Sequence, residues 1–368
     1  MDDGRIIAIH SDQSLPVTNK NEMRLVFDNA IAFPGLINSH DHLDFNLFPQ
    51  LRSRVYKNYK EWGKDIQLNN KQIIDNVLRI PKELRIKWGI YKNLVNGVTT
   101  VVSHGQYADI KEPVIDVFQE CHSLHSVEEK SWKIKLNRPY LKRQPFVIHV
   151  GEGTDTSSFE EIDRLIRWNV FKRKIIAVHG VAMNTDQAKA FEALIWCPDS
   201  NYFLLNATAK INKLKKNTKI LFGTDSTLSA NWNIWEQLRI ARNTKMMSDE
   251  ELFNGVTSLP AAVWKLREKG SLVNGYKADI VIAKARGNNN SMDNFFELNP
   301  EDILLIVKSG QIILFDDTLY SSVSEKTETG KFSPVTAGNS RKYIYGDFAG
   351  LTGQIKKHAP GIKLFLDL

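Results

Sequence analysis

The sequence predicts an α/β chain: a (β/α)8 TIM-like barrel carrying a small β-sandwich domain built from both termini. Three observations predict it. Strand-like and helical runs take turns through the C-terminal half, the pattern of parallel βα units. Four of the nine histidines, His40, His104, His149 and His179, stand at or just past the end of an apolar strand-like run. The two ends of the chain instead carry short strands separated by Gly and Asn turns, at 5–9, 278–283 and 303–314. The expected boundaries are 1–33 and 263–368 for the β domain and tail, and 34–262 for the barrel.

The elements follow in order. Residues 33–38 read as a first barrel strand, broken by Pro34 and Gly35. Residues 98–102 form a continuous β-branched run that suits a strand buried on both faces. Between His104 and Pro145 the pattern weakens. Two strands must fit there to make eight, and 121–127 and 132–136 are the candidates. A strand at 147–150 precedes a helix capped by Ser157 or Ser158, with Glu160 and Glu161 placed for a capping box. Phe159, Ile162, Leu165 and Ile166 give that helix its apolar face. Strands at 175–178, 195–197 and 219–222 and helices at 187–194 and 235–242 complete the alternation. Residues 287–291 read as a loop, and the tail beyond residue 320 matches no pattern.

Composition narrows the function. The chain is 42% hydrophobic and 25% charged, ordinary for a globular protein. A chain of 368 residues builds a sufficient core without disulfides. Its two cysteines, Cys121 and Cys197, exclude a disulfide scaffold and fit a reducing compartment. The first residues form no secretory signal, and no apolar run is long enough to span a bilayer. A cytoplasmic protein with no membrane partner is expected. The net charge of +7 raises the question of nucleic acid. The densest lysine run, 210–219, reads as a solvated face and lacks interleaved aromatics. No nucleic-acid partner is expected. The expected partner is a small molecule, and assembly into a homo-oligomer is compatible with the sequence.

The chemistry rests on residues at strand ends, because the C-terminal strand ends form the active face of such a barrel. His40 and His42 are two apart on a strand and point the same way, so both imidazoles can grip one cation. By itself an HxH pair is weak evidence. His149 ends a strand and Glu152 follows three residues later, suiting a ligand beside a general acid/base. Alone, His179 reads as a hydrogen-bonded core histidine and Asp225 as a helix cap. Together, three histidine nitrogens and one aspartate oxygen make a zinc or ferrous site with room for water. Glycines 151 and 153 allow close backbone approach to a ligand or simply serve the turn. The loop 43–96 holds Phe45, Phe48, Tyr56, Tyr59 and Trp62, whose helical spacing points to packing before ring stacking.

At this point the chain resembles the amidohydrolase superfamily, and within it the mononuclear deaminase and chlorohydrolase branch. The matching text is FPGLINSHDH at 33–42, GVTTVV at 97–102, IHVGEG at 148–153, VHG at 178–180, GTDS at 223–226 and GSLVNGYKADIV at 270–281. The resemblance extends over almost the whole chain to about residue 314. It implies one divalent metal, zinc with iron(II) as the alternative, held by His40, His42, His149 and Asp225. It implies Glu152 as proton shuttle, with His179 orienting water or polarising substrate, and His104 and His179 as substrate-binding candidates. Binuclear relatives use a carboxylated lysine, for which Lys133 and Lys135 are the nearest residues. The HxxE pattern after His149 favours one metal. The zinc deaminases with a PCxxC signature are a different class, and Pro198 is followed by no such pattern.

The implied reaction is hydrolysis of a non-peptide C–N bond, foremost deamination of an N-heterocycle by metal-bound hydroxide. Hydrolysis of an amide, a cyclic imide or a carbon–halogen bond at the same site is the alternative. A non-catalytic scaffold is the alternative of another class, and loss of metal ligands would mark it.

Overall fold

The computed structural model describes residues 3–10, 23–138, 144–287 and 291–366. The chain enters through β1 (Ala30–Pro34), and Gly35 then separates it from β2 (Leu36–Asp41). The expected single strand at 33–38 is therefore two. β1 pairs antiparallel with β10 (Ile280–Lys284), while β2 pairs parallel with β3 (Val98–Ser103).

The parallel strands form two ladders. One runs β2-β3-β4, with β4 at Asp116–Phe118. The other runs β5 (His122–Leu124), β6 (Phe146–Val150), β7 (Ile175–His179), β8 (Ala193–Trp196) and β9 (Lys219–Phe222). The N–H groups of Thr224 and Asp225 donate to the His40 carbonyl at 3.1 and 3.0 Å, which joins the end of β9 to β2. The wall is a TIM-like barrel.

Its strand count departs from eight. Only residues 119–121 separate β4 from β5, and β4 runs parallel to β3 as β5 does to β6. A crossover between two parallel strands takes a dozen or more residues. Residues 116–124 are thus one extended passage, paired with β3 at its start and β6 at its end. The described wall has seven passages. The other expected strand, 132–136, is a short helix, Trp132–Leu136.

The pleat sorts the wall residues. Val102, Val147, Ile176, Val178, Ile195, Cys197 and Leu221 form one buried cluster with Trp264. Their neighbours Ile148, Ile175, Ala177, Leu194 and Phe222 join the larger core that includes the helices. This alternation is the two-residue period of a strand. The helix after β6 runs Thr156–Trp168 and is capped by Asp155, whose side chain accepts from Ser158 N–H at 3.0 Å. The expected serine cap is corrected accordingly, and Glu161 is turned to a different task described below.

The remaining strands form one antiparallel six-stranded sheet, in the order β1-β10-β11-β12-β14-β13. Here β11 is Ile303–Lys308, β12 Gln311–Asp316, β13 Phe332–Ala337 and β14 Ser340–Tyr345. Residues 5–9 form no strand of this sheet. Arg5 bridges to Lys277, and Ile6 N–H donates to Tyr276 O at 2.9 Å. The tail supplies β13, β14 and the helix Phe348–His358, after which Phe365 stacks on Trp232 with ring centroids 4.5 Å apart. The loop expected at 287–291 falls largely on residues 288–290, outside the described residues.

Candidate active site

His40 and His42 reach the site because β2 ends at Asp41 and His42 follows it directly, with both imidazoles on the inner side. The intervening Asp41 points the other way, into a buried network. Its Oδ2 accepts from Lys92 Nζ at 2.9 Å and Asn93 Nδ2 at 2.7 Å, and Asn46 Nδ2 donates to its Oδ1 at 2.8 Å. Asn38 and Thr224 tie the same network to the end of β9 through a 2.8 Å hydrogen bond. The base of the HxH pair is thus held by charge and amides together. Glycine is required at 223, where a Cβ would lie 2.7 Å from His40 Cβ and 2.8 Å from Ile195 Cγ2.

His149 is oriented by its backbone neighbour. Its Nδ1 lies 3.0 Å from the carbonyl of His125. A carbonyl only accepts, so Nδ1 carries the proton and the Nε2 lone pair faces inward. That Nε2 stands 3.1 Å from His40 Nε2 and 3.4 Å from His42 Nε2. Asp225 Oδ1 lies 3.9 Å from His40 Nε2 and 3.7 Å from His42 Nε2. Two nitrogens bound tetrahedrally to zinc at about 2.0–2.1 Å are about 3.3–3.4 Å apart. The donor set fits one divalent ion. Burial holds the His40 and His149 imidazoles well below their ordinary pKa, which keeps them neutral, as ligands must be.

Asp225 and His179 both sit at strand ends with left-handed backbones, φ 56° and 71°. Such conformations cost about 1–3 kcal/mol and collect at functional sites. Ser200 and Ser229 hydroxyls donate to Asp225 Oδ2 at 2.8 and 3.0 Å. Burial works against the Asp225 carboxylate, but His42, His179 and these hydroxyls outweigh it and its pKa lies below the usual value. His179 Nδ1 lies 2.9 Å from Asn201 Nδ2. An amide nitrogen donates, so His179 carries its proton on Nε2. That Nε2 faces Glu152 Oε2 at 3.6 Å and Asp225 Oδ2 at 4.0 Å. Burial lowers the His179 pKa to about 4.

Glu152 is buried on the turn after β6. Burial, then the charges of Asp225 and Glu161, push its pKa well above the carboxylate range. Gly151 makes the turn with φ 65°, and its N–H donates to Glu161 Oε1 at 2.6 Å. Glu161 itself is raised to about 7 by burial. The structure therefore places the expected His42, His149, Glu152, His179 and Asp225 on the lining of one cavity of about 860 Å³, which His104 also lines, with His40 buried behind it beside His149. Lys133 is not at this centre, since its ammonium lies 3.9 Å from the Trp168 ring centroid. Lys135 lines the same cavity and pairs with Glu129. The sequence reading assigned no role to Ser200, Asn201 or Lys92, whose contacts with the site are distant in sequence, or to Ser229, four residues from Asp225. Tyr59 and His125 also line the cavity; Tyr59 was grouped with packing aromatics and His125 had no role.

The fold and this cluster define a TIM-like barrel with a histidine-rich candidate metal site at its strand ends. Residues 145–313 match the family model of the amidohydrolase family. The chain is 23% identical over 352 residues to a 5-methylthioadenosine/S-adenosylhomocysteine deaminase of Caldicellulosiruptor saccharolyticus, covering 79% of this chain and 82% of that protein. The fold is similar to that of an adenosine deaminase from Xanthomonas campestris, solved with bound zinc. The TM-score is 0.63 at 15% identity, over 91% of this chain and 86% of that one. It is also similar to the atrazine chlorohydrolase of Arthrobacter aurescens, with a TM-score of 0.61 at 16% identity over 89% and 93% of the two chains. The family read from the strand-end motifs is the family these comparisons return. No described helix is long and apolar enough to cross a membrane.

Proposed function

We propose that this protein is a metal-dependent hydrolase that deaminates an N-heterocycle of a small molecule. The observation that carries the reading is the facing pair Glu152 and His179, 3.6 Å apart, beside the cluster of His40, His42, His149 and Asp225. These four residues would hold the ion, zinc before iron(II). When bound, such an ion lowers the pKa of a coordinated water toward neutrality and polarises the carbon under attack.

The chain's own groups do the rest. Asp225 is ionised and hydrogen-bonded through Oδ2, so it can take a proton from the attacking water. Glu152 has a raised proton affinity, so it can hold a proton at neutral pH and deliver it to the leaving nitrogen. His179 presents Nε2–H to the charge that develops on the tetrahedral centre. His104 and His179 flank the space where the ring would lie. Residues 34–262 are read as the barrel, with 1–33 and 263–368 as a β domain of the sandwich type and tail. The protein is assigned to the cytoplasm, and a homo-oligomer is compatible with this reading.

The relatives named as deaminases of adenine nucleosides direct the first experiment. Purified, metal-loaded protein is incubated with 5′-methylthioadenosine, S-adenosylhomocysteine, adenosine, guanine and aminotriazines, and ammonia is measured. Release above the metal-free control supports the reading. The likeness to a chlorohydrolase favours one second reading, carbon–halogen hydrolysis. Chloride release from a chlorotriazine without ammonia release from any amine would replace the first reading with the second.

A further inference from the structure

The wall's single passage 116–124 brings a second group of histidines together. His104 follows β3, His125 follows β5, and His149 lies in β6. Each can offer a ring nitrogen, and these nitrogens lie within 4.8 Å of one another. His104 is 6% exposed. Its Nδ1 lies 3.0 Å from Ser123 Oγ, while its Nε2 is buried without a hydrogen-bond partner. An unpartnered buried nitrogen costs free energy unless something binds it. Its ring centroid is 4.4 Å from that of His149. His125 is exposed at the cavity, its ring centroid 4.9 Å from that of His149.

His149 belongs to both groups. The inner group adds His40, which is 1% exposed, and the Asp225 carboxylate. The outer group adds an exposed histidine and no anion. A cation entering from the cavity meets His125 first and can keep His149 while it exchanges its other ligands. The negative charge of Asp225 then draws it inward, because a carboxylate attracts a divalent ion more strongly than a neutral imidazole does.

We propose that His104, His125 and His149 form a staging position through which a divalent ion loads the inner site. The inference rests on the metal reading of the inner site. Shared use of His149 makes the two positions alternatives for one ion, so the loaded protein holds one equivalent.

The test uses cobalt(II) on protein stripped of metal, read by its visible absorption and by elemental analysis. His125→Ala changes an exposed side chain and should fold normally. It should end at the same one equivalent as the native protein but load about tenfold more slowly. His40→Ala should lose tight binding yet retain weak cobalt binding, which adding His125→Ala should abolish. Circular dichroism confirms that each variant is folded, and the loading comparison stands even if His40→Ala is not. Equal loading rates for the native protein and His125→Ala would overturn the staging position while leaving the inner site intact. Failure of the native protein to bind any ion would instead overturn the inner site itself.

Discussion

Glu152 Oε2 faces His179 Nε2 across 3.6 Å, and Asn201 decides which of the two presents a proton. The amide of Asn201 occupies His179 Nδ1, and Asn201 Oδ1 accepts in turn from Thr208 Oγ1 at 3.3 Å. His179 is thereby fixed as a donor at Nε2, and Glu152 is left to gain and lose its own proton.

Glu152→Gln separates binding from chemistry. Gln keeps the volume and part of the hydrogen bonding but carries no proton. Metal content should stay near the native value while kcat falls by about 10²–10⁴. KM should change far less, because the lost interaction belongs to the transition state. Normal turnover would remove Glu152 from the mechanism, and loss of metal would make it a ligand.

Elemental analysis of the purified protein should find about one tightly held equivalent of zinc or iron per chain, as one four-ligand site implies. A chelator should lower the melting temperature, since an ion bound only to the folded state stabilises it by mass action. His42→Ala should lose the tightly held ion. Two tight equivalents with a modified Lys135 would argue for a binuclear centre.

Lys92 and Asp41 form an ion pair with both side chains about 1% exposed or less. Lys92→Met leaves the Asp41 carboxylate buried with only neutral donors, the amides of Asn38, Asn46 and Asn93 and the Thr224 hydroxyl, a change that costs about 3–5 kcal/mol. Urea unfolding should show that loss, and combining it with Asp41→Asn should recover part of it. An unchanged midpoint would mean that the neutral donors suffice.

His122 gives a pH signature away from the metal cluster. Burial, and then the charge of Arg173, lower its pKa to about 4. Its Nδ1 lies 3.2 Å from Arg173 Nη1, a donor, so the imidazole must stay unprotonated to keep that bond. The folded pKa is depressed below the unfolded value, so the unfolded chain binds more protons in the window between them. The stability contributed is present above about 6.5 and is lost as pH falls toward 4. His122→Asn should flatten the fall in melting temperature across that window. An identical slope in both proteins would show that His122 does not set it.

Much of this was legible in the sequence because the signals are local. A strand that ends in histidine keeps its period of two, and the pairing of His40 with His42 follows from that period alone. The alternation of strand and helix after Phe146 was equally direct, except that the helix expected at 187–194 is only Thr185–Ala188 and Ala193 and Leu194 already belong to β8. The cap at Asp155 was missed because the serines beside it are equally good cap residues, and only the turn's geometry selects the aspartate. The helix at Trp132–Leu136 was read as a strand because five residues are too few to establish a period. Lys92, Asn93 and Asn38 were invisible as a network, since Lys92 and Asn93 meet Asp41 from more than fifty residues away. The passage 116–124 was read as room for two strands because nothing in composition tells a strand from half of one.

That passage also bears on the crowding at the centre. Barrel diameter grows roughly in proportion to strand number, so the seven passages among the described residues would give about seven-eighths of the width of eight. His149 has the imidazoles of His40, His42, His104, His125 and His179 all with ring centroids within 5.2 Å of its own. A chain segment that carries one ladder at each end thus sets His125 on the far side of His149 from the His40 and His42 pair, so that one imidazole is shared by both histidine groups.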